Sequence, residues 1–328
     1  MTIEIEQVGE LPGGSGGAIA VDPSGNTTVA AASSRATVWN GDQLVGTVAL
    51  TGYRSGPVSF SADGKRAHVG GFTIDLASVT ASGSTPSIEL LSSGIDFSER
   101  AAERFYAAGV SATSGDGGRC VASFGYVPSR GIGDDEPNQG PGGQVVLIDP
   151  RTDSFVAVLT DLEDRHQAVA VHITDSRVAV ATDVLAVFDT RDGSSIFSVA
   201  GASPIRTDVR LSPDGTRVAA SRVDGTVELH AVDGAGDAPA WAAHTDRAMA
   251  VAFHPRQPWL ATGGEDQQVK VWSYEAEGEP EMIGWFFAED DVRALAFHPH
   301  GGHLLVAIED SVLVTEVSTG EMAVIELA

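Results

Sequence analysis

The residues of this chain best suited to chemistry are its nine histidines. Two of them stand in copies of one phrase, Ala-Phe-His-Pro, at Ala252–Pro255 and Ala296–Pro299. His172 ends a similar apolar run, and His300 and His303 follow His298 closely. A zinc site would need three or four donors converging at about 2.0–2.2 Å. Recurrence at one place of a repeated phrase marks a turn instead, and Ser61 and Ser212 hold the same place in other copies. His254 and His298 therefore read as structural. Gly13–Gly17 is glycine-rich, but no Gly-Lys-Ser/Thr follows and no helical periodicity succeeds it, so it reads as a flexible turn rather than a phosphate cradle. The single cysteine, Cys120, lies in an apolar run and reads as a buried thiol.

The elements that carry these residues repeat. An apolar run leads into a turn (Asp22–Gly25, Ser61–Gly64, Ser114–Gly117, Ser212–Gly215), and a second apolar run follows. Units begin near Ala18, Pro57, Ala107, Gln167, Arg206, Ala248 and Val292, a spacing of about 40 residues once insertions are set aside. The sixth unit shows the anatomy: Met249–Phe253, a turn, Trp259–Thr262, a turn at Gly263–Asp266, Gln268–Trp272, then an amphipathic run near Glu281–Phe287. Short runs bounded by Gly, Pro, Asp and Ser predict a meander of antiparallel strands.

In that unit a His precedes the first strand (His244), a Thr lies on the second (Thr262), an Asp in the next turn (Asp266) and a Trp on the third strand (Trp272). This set resembles the WD repeat. The resemblance implies that the four side chains form a hydrogen-bonded set with a structural role. Other units keep parts of it: Trp39 with Ser33 at the Asp place, Asp183 with Phe188, Asp224 with His230, and Asp310 with Glu316. The expected fold is all-β: a seven-bladed β-propeller with four antiparallel strands per blade, in a single domain over residues 1–328. Blades are expected near 18–50, 57–91, 107–160, 167–199, 206–242, 248–287 and 292–327. Ile3–Val8 alternates apolar and polar residues as an outer strand should. It is expected to join the last blade at or beside Glu321–Leu327 and close the ring.

Acids outnumber bases 45 to 20, for a net charge of -25. That balance argues against nucleic acid and anionic membranes, and no run approaches the roughly 20 apolar residues of a membrane span. A cytoplasmic protein without cofactor is the expectation. Inner strands such as Ala18–Val21, Ala248–Phe253 and Ala294–Phe297 read as core-forming, which disfavours one alternative, a metal-dependent propeller hydrolase or lactonase; the other alternative is a sensor of small ligands at the channel mouth. Trp241, Trp259 and Trp285–Phe287 read as core too.

Two segments break the rhythm. Ser92–Phe105 offers Asp96 or Ser98 as a helix cap, with Arg100 and Glu103 one turn apart. Pro128–Gly143 is rich in Gly, Pro and acids and cannot bury a core. They are a connection between blades and a connection within the third blade, which in this strand order emerge on one face. The expected function is a non-catalytic protein-interaction scaffold. Its partner would be a basic protein, with Asp134, Asp135 and Glu136 attracting it and Arg100 and Arg104 orienting it.

Overall fold

The computed structural model describes residues 3–12, 17–32, 35–50, 57–69, 72–79, 88–90, 105–126, 143–149, 151–152, 154–162, 170–200, 205–234, 240–276 and 278–319. They form seven four-stranded antiparallel sheets, the blades of a propeller. Among the described residues the only helical element is a 3-10 turn, Leu76–Ser78. In blades one to six the four strands follow in chain order from the inner strand outward.

The inner strands end in a turn whose chemistry explains the repeated phrase. In Ser61–Gly64, Ser114–Gly117 and Ser212–Gly215 the serine hydroxyl donates to the aspartate two residues on, at 2.6–2.7 Å. It also accepts the backbone N–H of the arginine five residues on (Arg66, Arg119, Arg217) at 2.9–3.0 Å. His254 and His298 occupy that serine place, since each N–H bonds the carbonyl five residues on, as the Ser61 N–H does.

The histidine goes further than the serine. Its Nδ1 accepts N–H groups of its own turn: Arg256 and Gln257 for His254, His300 for His298. Its Nε2–H is thereby free to donate to the next blade, His254 to the Gly301 carbonyl at 3.0 Å and His298 to the Gly25 carbonyl at 2.9 Å. Gly25 has φ +83, and a Cβ there would meet the His298 ring at 2.4 Å, so this position needs glycine twice over. The two latches bind blade seven to blade six on one side and to blade one on the other. Replacing His298 with Ala should cost about 1–2 kcal/mol, the loss of one half-buried hydrogen bond and an orphaned carbonyl. Urea denaturation would show it; an unchanged midpoint would mean that the latch carries no energy.

Blade seven is completed by the N-terminal strand, as expected. Its inner three strands are Ala294–Phe297, His303–Ala307 and Ser311–Thr319. The fourth place, beside Ser311–Thr319, is taken by the N-terminal strand Ile3–Pro12, paired from Ile3–Thr319 to Pro12–Ser311. The expected neighbour, Glu321–Leu327, lies outside the described residues. The seam extends sideways as well. Ile3 is buried against the outer strand of blade six, where a Cβ on Gly284 would meet the Ile3 side chain at 2.6 Å.

Apolar clusters form mostly between blades. Ala250, Val269, Val271 and Ile283 of blade six meet Leu295, Leu304, Val306 and Leu313 of blade seven. Trp241 and Trp259 are buried, as expected, but Trp285 and Phe287 are 50% and 59% exposed. They therefore do not belong to the core. Burial pushes the Cys120 thiol up to about 11, which makes it inert.

Candidate functional site

Blade six brings its four marked side chains into one hydrogen-bonded chain. Trp272 Nε1–H donates to Thr262 Oγ1 at 2.9 Å. Thr262 Oγ1 lies 2.8 Å from His244 Nε2, and His244 Nδ1 lies 2.8 Å from Asp266 Oδ1. Indole only donates and carboxylate only accepts, so a neutral His244 admits one proton order: Trp272 to Thr262, Thr262 to His244, His244 to Asp266. Asp266 is further held by the N–H groups of Thr245 and Gln268. Burial pushes the Asp266 carboxyl up, but these bonds leave it below its ordinary range. Burial likewise holds the His244 imidazole below its ordinary range despite Asp266 beside it.

Strand register identifies the same positions elsewhere. Trp272 stands opposite Leu260, which stands opposite Phe253. The corresponding residues are Trp39, Ile74, Ile148, Phe188, His230 and Thr315. Glu316 is not at the Trp place; the preceding turn is one residue shorter than in blade six, so Thr315 faces Leu304. Thr315 donates instead to the Leu304 carbonyl at 2.8 Å. In blade one Ala30 takes the Thr262 place, and Trp39 Nε1 has no partner among the described residues.

Blade five replaces the set with buried charge, which the sequence pattern did not reveal. Glu228 accepts from Arg206 and Arg222, and lies 3.2 Å from His230 Nε2. Arg206 Nη1 also donates to the carbonyls of Thr182 and Asp183, tying blade five to blade four. Burial would raise the Glu228 carboxyl, but His230, Arg206 and Arg222 hold it down at about 2. A second polar set escaped the reading on the inner strand of the same blade. Asp208 accepts from Arg210 at 2.6 Å and from the Val251 N–H of blade six at 3.2 Å. His172 Nδ1 accepts the Leu211 N–H at 3.2 Å. The alternation of Arg206-Thr-Asp-Val-Arg-Leu211, in a place elsewhere apolar, was the signal. Among the described residues no three of His, Cys, Asp and Glu gather as metal ligands.

The buried histidines make stability pH-dependent. Burial lowers His68 to about 4, and lowers His244 and His254 below the ordinary value near 6.5. Between those folded values and 6.5 the unfolded chain binds more protons, so stability is full above about pH 6.5 and falls as the pH drops. Carboxylates titrate mainly below about 4.5, so the decline between pH 6.5 and 4.5 belongs to the histidines. A melting temperature constant across that range would contradict this assignment.

The candidate contact residues Arg100, Arg104, Asp134, Asp135 and Glu136 lie outside the described residues, as do Asp96 and Ser98. Phe105 does not continue a helix: it opens the inner strand of blade three, Phe105–Thr113. It pairs with Tyr126, and Gly125 pairs with Gly143.

A seven-bladed β-propeller with a His–Thr–Asp–Trp hydrogen-bonded chain in one blade is the class that fold and site define. A family model, the WD domain or G-beta repeat, matches residues 240–273, which hold all four side chains. WD repeat-containing protein 1-B of Xenopus laevis is 29% identical over 162 residues, 47% of this chain and 25% of that protein. The target of rapamycin complex subunit wat1 of Schizosaccharomyces pombe is 34% identical over 97 residues, 29% of this chain and 30% of that protein. The 66 kDa stress protein of Physarum polycephalum is 25% identical over 160 residues, 48% of this chain and 26% of that protein. The matched stretches thus span less than a third of these relatives' own length. The sixth blade is a WD repeat with the complete four-residue set, and the chain around it is similar to WD-repeat proteins.

Proposed function

We propose that this propeller is a protein-interaction scaffold that engages a basic partner through the loops on one face at blade three. A scaffold role fits its WD-repeat relatives, one of which is named as the subunit of a complex. The observation that carries the finer reading is the pairing of Phe105 with Tyr126 beside that of Gly125 with Gly143. The chain therefore enters the long connection after Tyr126 and leaves the one before Phe105 at one end of one blade. Long connections grouped on a rigid ring are where recognition is usually built. Asp134, Asp135 and Glu136 would supply the charge and Arg100 and Arg104 the orientation. The histidines a metal-dependent hydrolase would draw on are committed to backbone groups.

The test is deletion of residues 128–143, assayed against the partner recovered from the native host. The deletion should abolish capture, and wild-type association should weaken as added salt shortens the screening length from about 10 Å to 3 Å. Full affinity in the deletion, with binding lost on altering the opposite face, would refute the placement. No helix among the described residues is long and apolar enough to cross a membrane.

A further inference from the structure

The outer strand of blade six, Glu281–Phe287, carries the largest exposed apolar side chains among the described residues. Met282, Trp285 and Phe287 are 46%, 50% and 59% exposed. They share one side of the sheet, because they stand opposite Trp272, Lys270 and Gln268 in turn. That side faces blade five, where Trp272 packs edge-on against Trp241. Among the described residues the outer strand of blade five is Trp241–Ala242, paired with Val227 and Thr226. Trp285 and Phe287 stack edge to face at 5.3 Å, forming a preformed aromatic surface rather than two loose side chains.

Charge decides what could cover it. Glu275, Glu279 and Glu281 are exposed at one end of the strand and Glu289 at the other, and none has an ion pair among the described residues. The cation nearest in register, Lys270, is committed to the Ala243 carbonyl, and Arg217 lies over the Tyr274 ring. Two copies of the chain, each with net charge -25, would bring like charge to like at such a contact. We infer that this patch is a second docking surface of the scaffold, for a cationic amphipathic segment of another protein. Its apolar side chains would seat on Trp285 and Phe287, and its lysines or arginines would meet the flanking glutamates. Exposed aromatics with a charged rim are the usual anatomy of such contacts. The inference rests on the scaffold reading but uses a different blade and a different edge of the ring.

The probe is a labelled synthetic peptide of about 16 residues, long enough as a helix to match the length of the patch. It carries Leu and Phe at helical i, i+4 spacing and Lys elsewhere; a control carries Glu in place of Lys. Fluorescence anisotropy with the full chain should show binding of the cationic peptide only. The Trp285→Ala/Phe287→Ala variant keeps the net charge and should bind at least tenfold more weakly, whereas deletion of residues 128–143 should leave peptide binding unchanged. A blue shift of tryptophan emission on binding should vanish in Trp285→Phe. Equal affinity of wild type and the double variant would mean diffuse charge attraction and overturn the site, as would absence of binding. Concentration-dependent dimers lost in the double variant would assign the patch to a second copy and overturn it too. Failure of the loop deletion against the host partner would refute the blade-three reading alone.

Discussion

Deleting residues 2–8 should lower the stability of this protein by roughly 5 kcal/mol, through lost burial and lost ladder hydrogen bonds. The segment supplies the first half of the strand that completes blade seven, paired from Ile3–Thr319 to Gln7–Thr315. Ile3 is 4% exposed, and burial of one such side chain stabilises by about 1.5–3 kcal/mol. Each ladder bond adds about 0.5–1.5 kcal/mol, and their loss leaves Ser311–Thr319 as a bare edge. Against a typical total of about 5–15 kcal/mol this loss is large. Urea denaturation of the deletion beside wild type measures it. Equal midpoints would show that blade seven is stable with three strands.

Replacing Trp272 with Ala should cost roughly 3–5 kcal/mol. The side chain lies between Trp241, 5.6 Å away centroid to centroid, and Leu260 at the junction of blades five and six. Truncation leaves a cavity there and removes the donor that fixes the Thr262 hydroxyl, so the order of protons through His244 to Asp266 is no longer set. Trp272→Phe separates the two effects. It keeps most of the ring volume and loses the N–H, and should cost about 1–2 kcal/mol. If both variants melt like wild type, blade six is not pinned by this chain of bonds.

How much of this was legible in the sequence depended on how far each interaction reaches. Turns closed within five residues were readable, because Ser61, Ser114 and Ser212 satisfy their own turn and the Asp-Gly beside them fixes its shape. The turn place of His254 and His298 was visible for the same reason. Their acceptors were not, since Gly25 stands 273 residues from His298 and only ring closure brings them together. Counting from Asp310 to the Trp place failed through a single missing turn residue, which moved Thr315 into register with Leu304. Glu228 looks like an exposed acid on its own strand; its partners Arg206 and Arg222 come from two other strands of blade five. The exposure of Trp285 and Phe287 was not legible, because an apolar residue on an outer strand reads the same whether or not anything packs against it. The closing strand was recognisable from its alternation. Its exact partner was not: it pairs with Ser311–Thr319.

The claim on which the rest depends is that one ring closes through the two ends of the chain, and a designed disulfide tests it most directly. Glu6 stands opposite Glu316 across the seam. Directly opposed residues of an antiparallel pair lie about 4.5–5.5 Å apart at Cα, within disulfide reach. The native Cys120 is buried and should not compete. Under mild oxidation the Glu6→Cys/Glu316→Cys variant should lose two free thiols, run as an intrachain species on a non-reducing gel and melt at a higher temperature. The offset variant Glu6→Cys/Ser318→Cys, whose residues sit about 7–8 Å apart on the diagonal, should cross-link poorly. Thiols that stay free in the Glu6→Cys/Glu316→Cys variant, or equal cross-linking of both variants, would contradict the closed ring in this register.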